Sequence, residues 1–163
     1  MKTILLIRHA KSSWETASLS DFDRPLNDRG KRDAPAMARK LIENKVDPEL
    51  FVASPAKRAK KTAELFMKEF GKNENEIVFI SELYHAPSQT FYDIISRFDE
   101  KYNSVAIFSH NPGITEFVNS LTSVALDNMP TCGIFAVTAP VDRWEKFSSS
   151  KKEFWFFDYP KSA

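Results

Sequence analysis

The chain has 163 residues, 42% of them hydrophobic and 13% aromatic, enough for one packed core, so a single domain spanning residues 1–163 is the expected organisation. Its 23 basic and 22 acidic residues nearly cancel, so no overall field draws in nucleic acid or an anionic membrane, and any anion site has to be built locally. The lone Cys132 excludes an intrachain disulfide framework and fits a reducing compartment, and no apolar run reaches the length of a membrane span.

Met1 and Lys2 lead directly into TILLI, too short for a signal-peptide core and without a small-residue cleavage site, so the expected setting is cytoplasmic. KTILLIR is a continuous aliphatic run of the kind a parallel strand shows when both its faces are buried. A long polar loop from His9 to Asn27 follows. Asn27 then caps a helix expected over residues 28–44, in which Ala34, Met37, Ala38 and Leu41 recur at helical spacing despite Gly30 and Pro35.

LFVAS predicts a second strand, and SPAKRAKKTAELFMKEF a helix with Ser54 as N-cap and Pro55 in the first helical position. EIVFIS and PSQTFYDIISRF repeat strand and helix. SVAIFS and HNPGITEFVNSL repeat them again, with Asn111 and Pro112 as cap and first turn. After that GIFAVTA, RWEKFS and KEFWFFDY are strand-like with only turns between them, SSSKK being a solvent-exposed turn. The fold class is therefore α/β, a three-layer sandwich around a mainly parallel sheet that ends in antiparallel strands.

Ligands of open α/β sheets bind beyond the carboxyl ends of the parallel strands, so the residues that follow each strand are the candidates for chemistry. They are Arg8 and His9, Ser54 to Arg58, Ser81 and Glu82, and Ser109 and His110. Alone, a histidine at a strand end is more often a hydrogen-bonded structural group. Two of the chain's three histidines at equivalent strand ends, one of them preceded by arginine, favour a shared site. His85 has no such setting and reads as structural. The KRAKK run reads as a solvated helix face on which Lys60 pairs with Glu64, but Arg58 lies in the first turn, where free N–H groups already favour an anion.

These residue types converge on phosphoryl transfer. Guanidinium groups hold a phosphoryl group and spread its charge, and a neutral imidazole aimed at phosphorus accepts it covalently, with no metal and no cofactor required. In this reading His9 is the nucleophile, its other ring nitrogen donating to a backbone carbonyl, and His110 stabilises the transition state. The chain has no H-E-x-x-H run, no G-x-x-x-x-G-K-[ST] loop, and Thr138 stands six residues after Cys132, where a cysteine phosphatase would carry arginine.

LIRHAKS resembles the arginine–histidine signature of the histidine phosphatase superfamily, with Ala10 at a position more often occupied by glycine. DFDRPLNDRGKRDA, VASPAKRAKKTAE, SELYHA, IFSHNPGI and MPTCGIFAV are similar in turn to successive motifs of its SixA-like phosphohistidine phosphatase branch. The resemblance implies a phosphoglycerate-mutase-like fold, His9 as nucleophile, and Arg8, Arg58 and His110 as the phosphate pocket. It adds Arg24, in DRPL, to that pocket. Much of the superfamily places a carboxylic acid near SELYHA, which makes Glu82 a candidate general acid, with a capping or surface role as the alternative. Asp21 and Asp23 are weaker loop candidates.

The implied substrate is phosphohistidine on a protein partner, since the short chain leaves no lid over the site and an imidazole leaves without strong acid assistance. A small phosphorylated metabolite on the same site is the alternative, and a catalytically weak phospho-binding module is another. No nucleic-acid or membrane partner is expected. EFWFFDYP reads as a core or edge strand, and dimerisation through such an edge stays open.

Overall fold

In the computed structural model, which describes residues 1–15 and 18–161, six strands form one sheet in the order β3-β2-β4-β1-β5-β6. These are β1 (Lys2–Arg8), β2 (Leu50–Ala53), β3 (Val78–Phe79), β4 (Ser104–Ser109), β5 (Ile134–Ala139) and β6 (Glu153–Asp158). The first four pair in parallel, while β5 is antiparallel to β1 and β6 antiparallel to β5. Four helices connect them: α1 (Asp28–Glu43), α2 (Lys57–Glu69), α3 (Ser88–Ser96) and α4 (Gly113–Leu121).

The aliphatic run of β1 explains the layering. Alternate side chains of a strand point to opposite faces, so Ile4 and Leu6 join the core formed with α3 and α4, while Leu5 and Ile7 join the core formed with α1 and α2. All four are fully buried, and each such side chain stabilises the fold by about 1.5–3 kcal/mol relative to exposure. Strand β1 thus sits between two hydrophobic layers, and its carboxyl end is fixed in position from both sides.

Several local expectations differ from the structure. Helix α2 begins at Lys57 with Ala56 as N-cap, not at Pro55 with Ser54 as N-cap. Ser54 extends the sheet instead, its N–H donating to Phe108 O at 3.0 Å, and its hydroxyl is taken by His110. Similarly α4 begins at Gly113, because the Asn111 side chain is occupied by Asn128, Met129 O and Thr115. EIVFIS contributes only the two-residue edge strand β3. RWEKFS is a 3-10 turn (Trp144–Lys146) and not a strand. Trp144 and Phe147 are both buried in one core, which a three-residue repeat allows and the alternation of a strand forbids.

The loop expected from His9 to Asn27 carries a bridge between Ser12 and Leu26 and a 3-10 turn at Asp21–Asp23; its residues 16–17 lie outside those described. Helix α1 is capped as expected, Asn27 Oδ1 accepting from Gly30 N at 2.9 Å. The backbone of Lys11 lies directly against Gly30, and a Cβ there would collide with the Lys11 carbonyl. Because Asn27 N also donates to that carbonyl, at 3.0 Å, the glycine lets the helix brace the loop that follows His9. Gly30→Ala is expected to destabilise the protein by about 1–3 kcal/mol in urea unfolding, the usual cost of forcing an atom into a filled site. Unchanged stability would show that the Lys11 segment yields freely.

Candidate active site

Parallel, in-register pairing of β1 with β4 sets Arg8 beside Ser109. The next residue on each strand is therefore His9 and His110, and their ring centroids lie 5.1 Å apart. His9 N donates to Ser109 O at 3.1 Å, which continues the ladder one residue beyond the strands. From the other side, Cys132 N donates to the carbonyls of Arg8 and His9, both at 3.1 Å, from a left-handed conformation with φ 58°. Its thiol is buried and pushed well above its ordinary pKa by that burial, consistent with a structural role.

The tautomer of His9 is set by its partners. Nδ1 lies 2.8 Å from Ala10 O, and a carbonyl only accepts, so Nδ1 carries the proton. Nε2 is then a lone pair, and Arg58 Nε donates to it at 3.3 Å. Arg58 reaches this position from the first turn of α2. The same helix supplies Thr62, whose hydroxyl donates to Arg58 O at 2.7 Å and accepts from Ala10 N at 3.0 Å. One side chain thus ties the residue after the nucleophile candidate to the helix that carries its arginine.

His110 Nε2 lies 2.7 Å from Ser54 Oγ, and that oxygen also accepts from Ala56 N at 3.2 Å. Since Ala56 N is a donor, the serine proton is satisfied only by going to His110 Nε2. This assigns the imidazole proton to Nδ1, which is buried and has no partner among the described residues. His110 therefore holds one N–H donor in reserve, on a ring whose centroid lies 5.1 Å from that of His9.

Around these rings three guanidiniums converge. Arg8 Nη1 donates to Met129 O at 2.8 Å, while its Nε is buried without a partner among the described residues. Arg24 Nη1 donates to Asp21 Oδ1 at 3.0 Å and Nε to Ser13 O at 3.1 Å, its Nη2 bonds the Ser12 hydroxyl, and Trp14 lies over its planar face. Arg58 Nη1 and Nη2 go to the carbonyl and carboxylate of Asp21, at 2.7 and 3.0 Å. Asp21 also accepts from the Tyr84 hydroxyl at 2.6 Å. That phenol bond, together with the two arginines, holds the Asp21 carboxyl well below the usual carboxylate range, so it stays ionised.

The structure therefore brings Arg8, His9, Arg24, Arg58 and His110 together, and it does not bring Glu82 to them. Glu82 accepts from Ser81 at 3.0 Å and faces Arg97 at 3.9 Å, half exposed on the groove beside α3. Glu82 lies in the 3-10 turn Ser81–His85, and the surface reading is the one its contacts fit. Asp21, Ser54, Thr62 and Tyr84 are members of the site that sequence reasoning ranked low or missed. A signal existed for Thr62, one helical turn after Arg58, and for Asp21, three residues before Arg24. Among the described residues, no group of three or more His, Cys, Asp and Glu side chains is arranged to hold a metal ion.

Burial and the surrounding cations depress both imidazoles. Desolvation, then the charges of Arg58, Arg8 and Arg24, lower His9 to about 3 against the Ala10 bond that raises it. Burial, followed by His9 and Arg58, lowers His110 to about 2. Both rings are neutral at neutral pH. Their depressed values mean that the unfolded chain binds more protons than the folded one below an ordinary histidine pKa of about 6.5. The stability they contribute is complete above that pH and is lost as pH falls toward 3. In urea titrations between pH 7 and pH 5, His110→Gln is expected to lose less stability than the wild type by about 1–2 kcal/mol. Parallel losses would contradict the depressed values.

Comparison with known proteins bears on the sequence and the fold. The family model described as histidine phosphatase superfamily (branch 1) matches residues 4–83, a span that holds Arg8, His9, Arg24 and Arg58. A chloroplastic protein of Arabidopsis thaliana without an assigned activity is 28% identical over 153 residues, 89% of this chain and 70% of that protein. The crystal structure assigned as phosphohistidine phosphatase SixA of Agrobacterium tumefaciens superposes with a TM-score of 0.82 at 25% identity, covering 98% of this chain and 99% of that one. The protein histidine phosphatase SixA complexed with tungstate shares the fold, with a TM-score of 0.77 at 24% identity over 96% of each chain. With the family match and the fold in agreement, the chain belongs to the histidine phosphatase superfamily.

Proposed function

We propose that this phosphatase hydrolyses phosphohistidine on a protein partner, with His9 carrying the phosphoryl group in transit. The observation that carries the reading is the His9 tautomer: its single lone pair is Nε2, kept unprotonated by burial and set beside Arg58. In the first step Nε2 bonds to phosphorus as the substrate's P–N bond breaks, releasing the substrate imidazole. Water then attacks phosphorus, breaking the bond to Nε2 and freeing inorganic phosphate. The net exchange is a P–N bond for a P–O bond, with the water's proton ending on the released imidazole. Arg8, Arg24 and Arg58 neutralise the phosphoryl oxygens, and His110 Nδ1–H donates to them in the transition state.

The substrate class follows from acidity. Alkyl phosphates leave as alkoxides and benefit from a general acid worth about 10²–10⁴ in rate. The carboxylate within this site, Asp21, is held ionised by Tyr84, Arg24 and Arg58 and is a poor proton donor. Glu82 is turned toward Arg97. An imidazole leaving group has the least need of such help. A second reading, a small phosphorylated metabolite, draws support from a groove of about 380 Å³ against His110, lined by Tyr84, His85, Asn111 and Glu116. That volume suits a small ligand.

Rapid-quench labelling with a phosphohistidine protein is expected to trap an acid-labile phosphoenzyme in the wild type and none in His9→Ala. A protein that only binds phosphorylated partners would form no such species. His110→Ala is expected to lower kcat about 10²–10³-fold, the usual cost of removing one transition-state donor. Ser54→Ala should lower kcat with little change in KM, because it frees the His110 tautomer. Glu82→Gln should leave phosphohistidine turnover unchanged, and equal losses on phosphohistidine and an alkyl phosphate would remove the leaving-group argument.

A further inference from the structure

A second feature adjoins the site without belonging to it. Between the amino-terminal parts of α1 and α2 lies a groove of about 570 Å³. Four lysines line it: Lys31 from α1, and Lys57, Lys60 and Lys61 from α2. Its apolar lining comes from Phe22, Pro25, Leu26 and Pro55, and its carboxylates are Asp23 and Glu64. Among the described residues, none of the four ammonium groups lies within 4.0 Å of a carboxylate, and the expected pair of Lys60 with Glu64 does not form. Asp23 is held by the Ser20 hydroxyl at 2.8 Å.

This arrangement costs the fold stability. Lys57, Lys60 and Lys61 stand at i, i+3 and i+4 on one helix face, where like charges repel, and the first turn of α2 has no acidic residue. Cations near a helix amino terminus are also disfavoured by its dipole. A nearly neutral chain that concentrates unpaired ammonium groups beside apolar side chains presents a surface complementary to carboxylates with an apolar neighbour. The position of the groove fits that complement. Phe22 follows Asp21, Lys57 precedes Arg58 and Pro55 follows Ser54, so its walls continue directly from the segments that hold the site. Phe22 packs edge-on against Tyr84 at 5.1 Å, forming the step between the two.

We propose that the lysine-lined groove between α1 and α2 docks an acidic, partly apolar segment of the substrate protein that flanks the phosphorylated residue; this rests on the protein-substrate reading above. The phosphoryl group enters among the arginines while the neighbouring chain runs over Phe22 toward Lys57, Lys61 and Lys31. Such rim charges act on encounter and on the stability of the complex, and they leave chemistry at His9 untouched.

The test uses two synthetic phosphohistidine peptides that differ only in having Glu and Leu, or Gln and Leu, around the modified residue. Wild-type protein is expected to prefer the Glu peptide about tenfold in kcat/KM at low salt, mainly through KM, and to lose that preference at high salt. The double variant Lys57→Glu, Lys61→Glu should abolish the preference while turnover of p-nitrophenyl phosphate stays unchanged. Lys31→Glu, on the opposite wall, should act in the same direction and serves if the double variant folds poorly. Equal use of both peptides by wild type, or a preference that survives charge reversal, overturns the docking inference and leaves the protein-substrate reading standing. Hydrolysis of p-nitrophenyl phosphate with neither peptide touched overturns that reading, and the docking inference falls with it.

Discussion

The in-register parallel pairing of β1 with β4 is the constraint on which the rest of this molecule depends. It is a backbone interaction between two strands buried on both faces, and it leaves no freedom to slip. A shift of one residue would turn Ile4 and Leu6 out of one core and Leu5 and Ile7 out of the other. Because that register is fixed, the residues that leave the two strands emerge side by side, and they are His9 and His110. The chemistry of the site is inherited from the hydrophobic pattern of the strands below it.

Electrostatics then shapes what emerges. Three guanidiniums and two buried imidazoles crowd one rim, and like charges there repel. Asp21 is the counterweight, bonded to Arg24, Arg58 and Tyr84 together. Its cost is that a carboxylate stands in a pocket suited to anions, and its benefit is that two arginines are oriented before any ligand arrives. The depressed histidines follow from the same crowding, since neither ring gains by becoming a further cation in a desolvated space. A neutral imidazole with one fixed lone pair is the state that nucleophilic attack requires.

Much of this was legible from residue order because buried parallel strands and amphipathic helices carry strong local patterns. The run KTILLIR, the Asn27 cap and the positions of Arg8, His9, Arg58 and His110 are of that kind. Failures arose where a long-range partner outbid a local preference. Ser54 has the composition of an N-cap, yet His110 and the Phe108 carbonyl claim it. Asn111 reads as a cap, yet the loop at Asn128 and Met129 holds its side chain. The aromatic residues of RWEKFS suggest a strand, but their three-residue spacing serves a buried 3-10 turn.

By itself the sequence determined the alternation of strands and helices, the burial of β1 and the residues that end each parallel strand, since all of these follow from side-chain periodicity along the chain. Only the tertiary structure decided which ring nitrogen of His9 carries the proton, that Asp21 and not Glu82 is the carboxylate at the arginines, and that Lys57, Lys60 and Lys61 line a groove with no carboxylate among the described residues within 4.0 Å of them. Those outcomes depend on atoms contributed by segments far apart in the chain, and no local pattern encodes the distances between them.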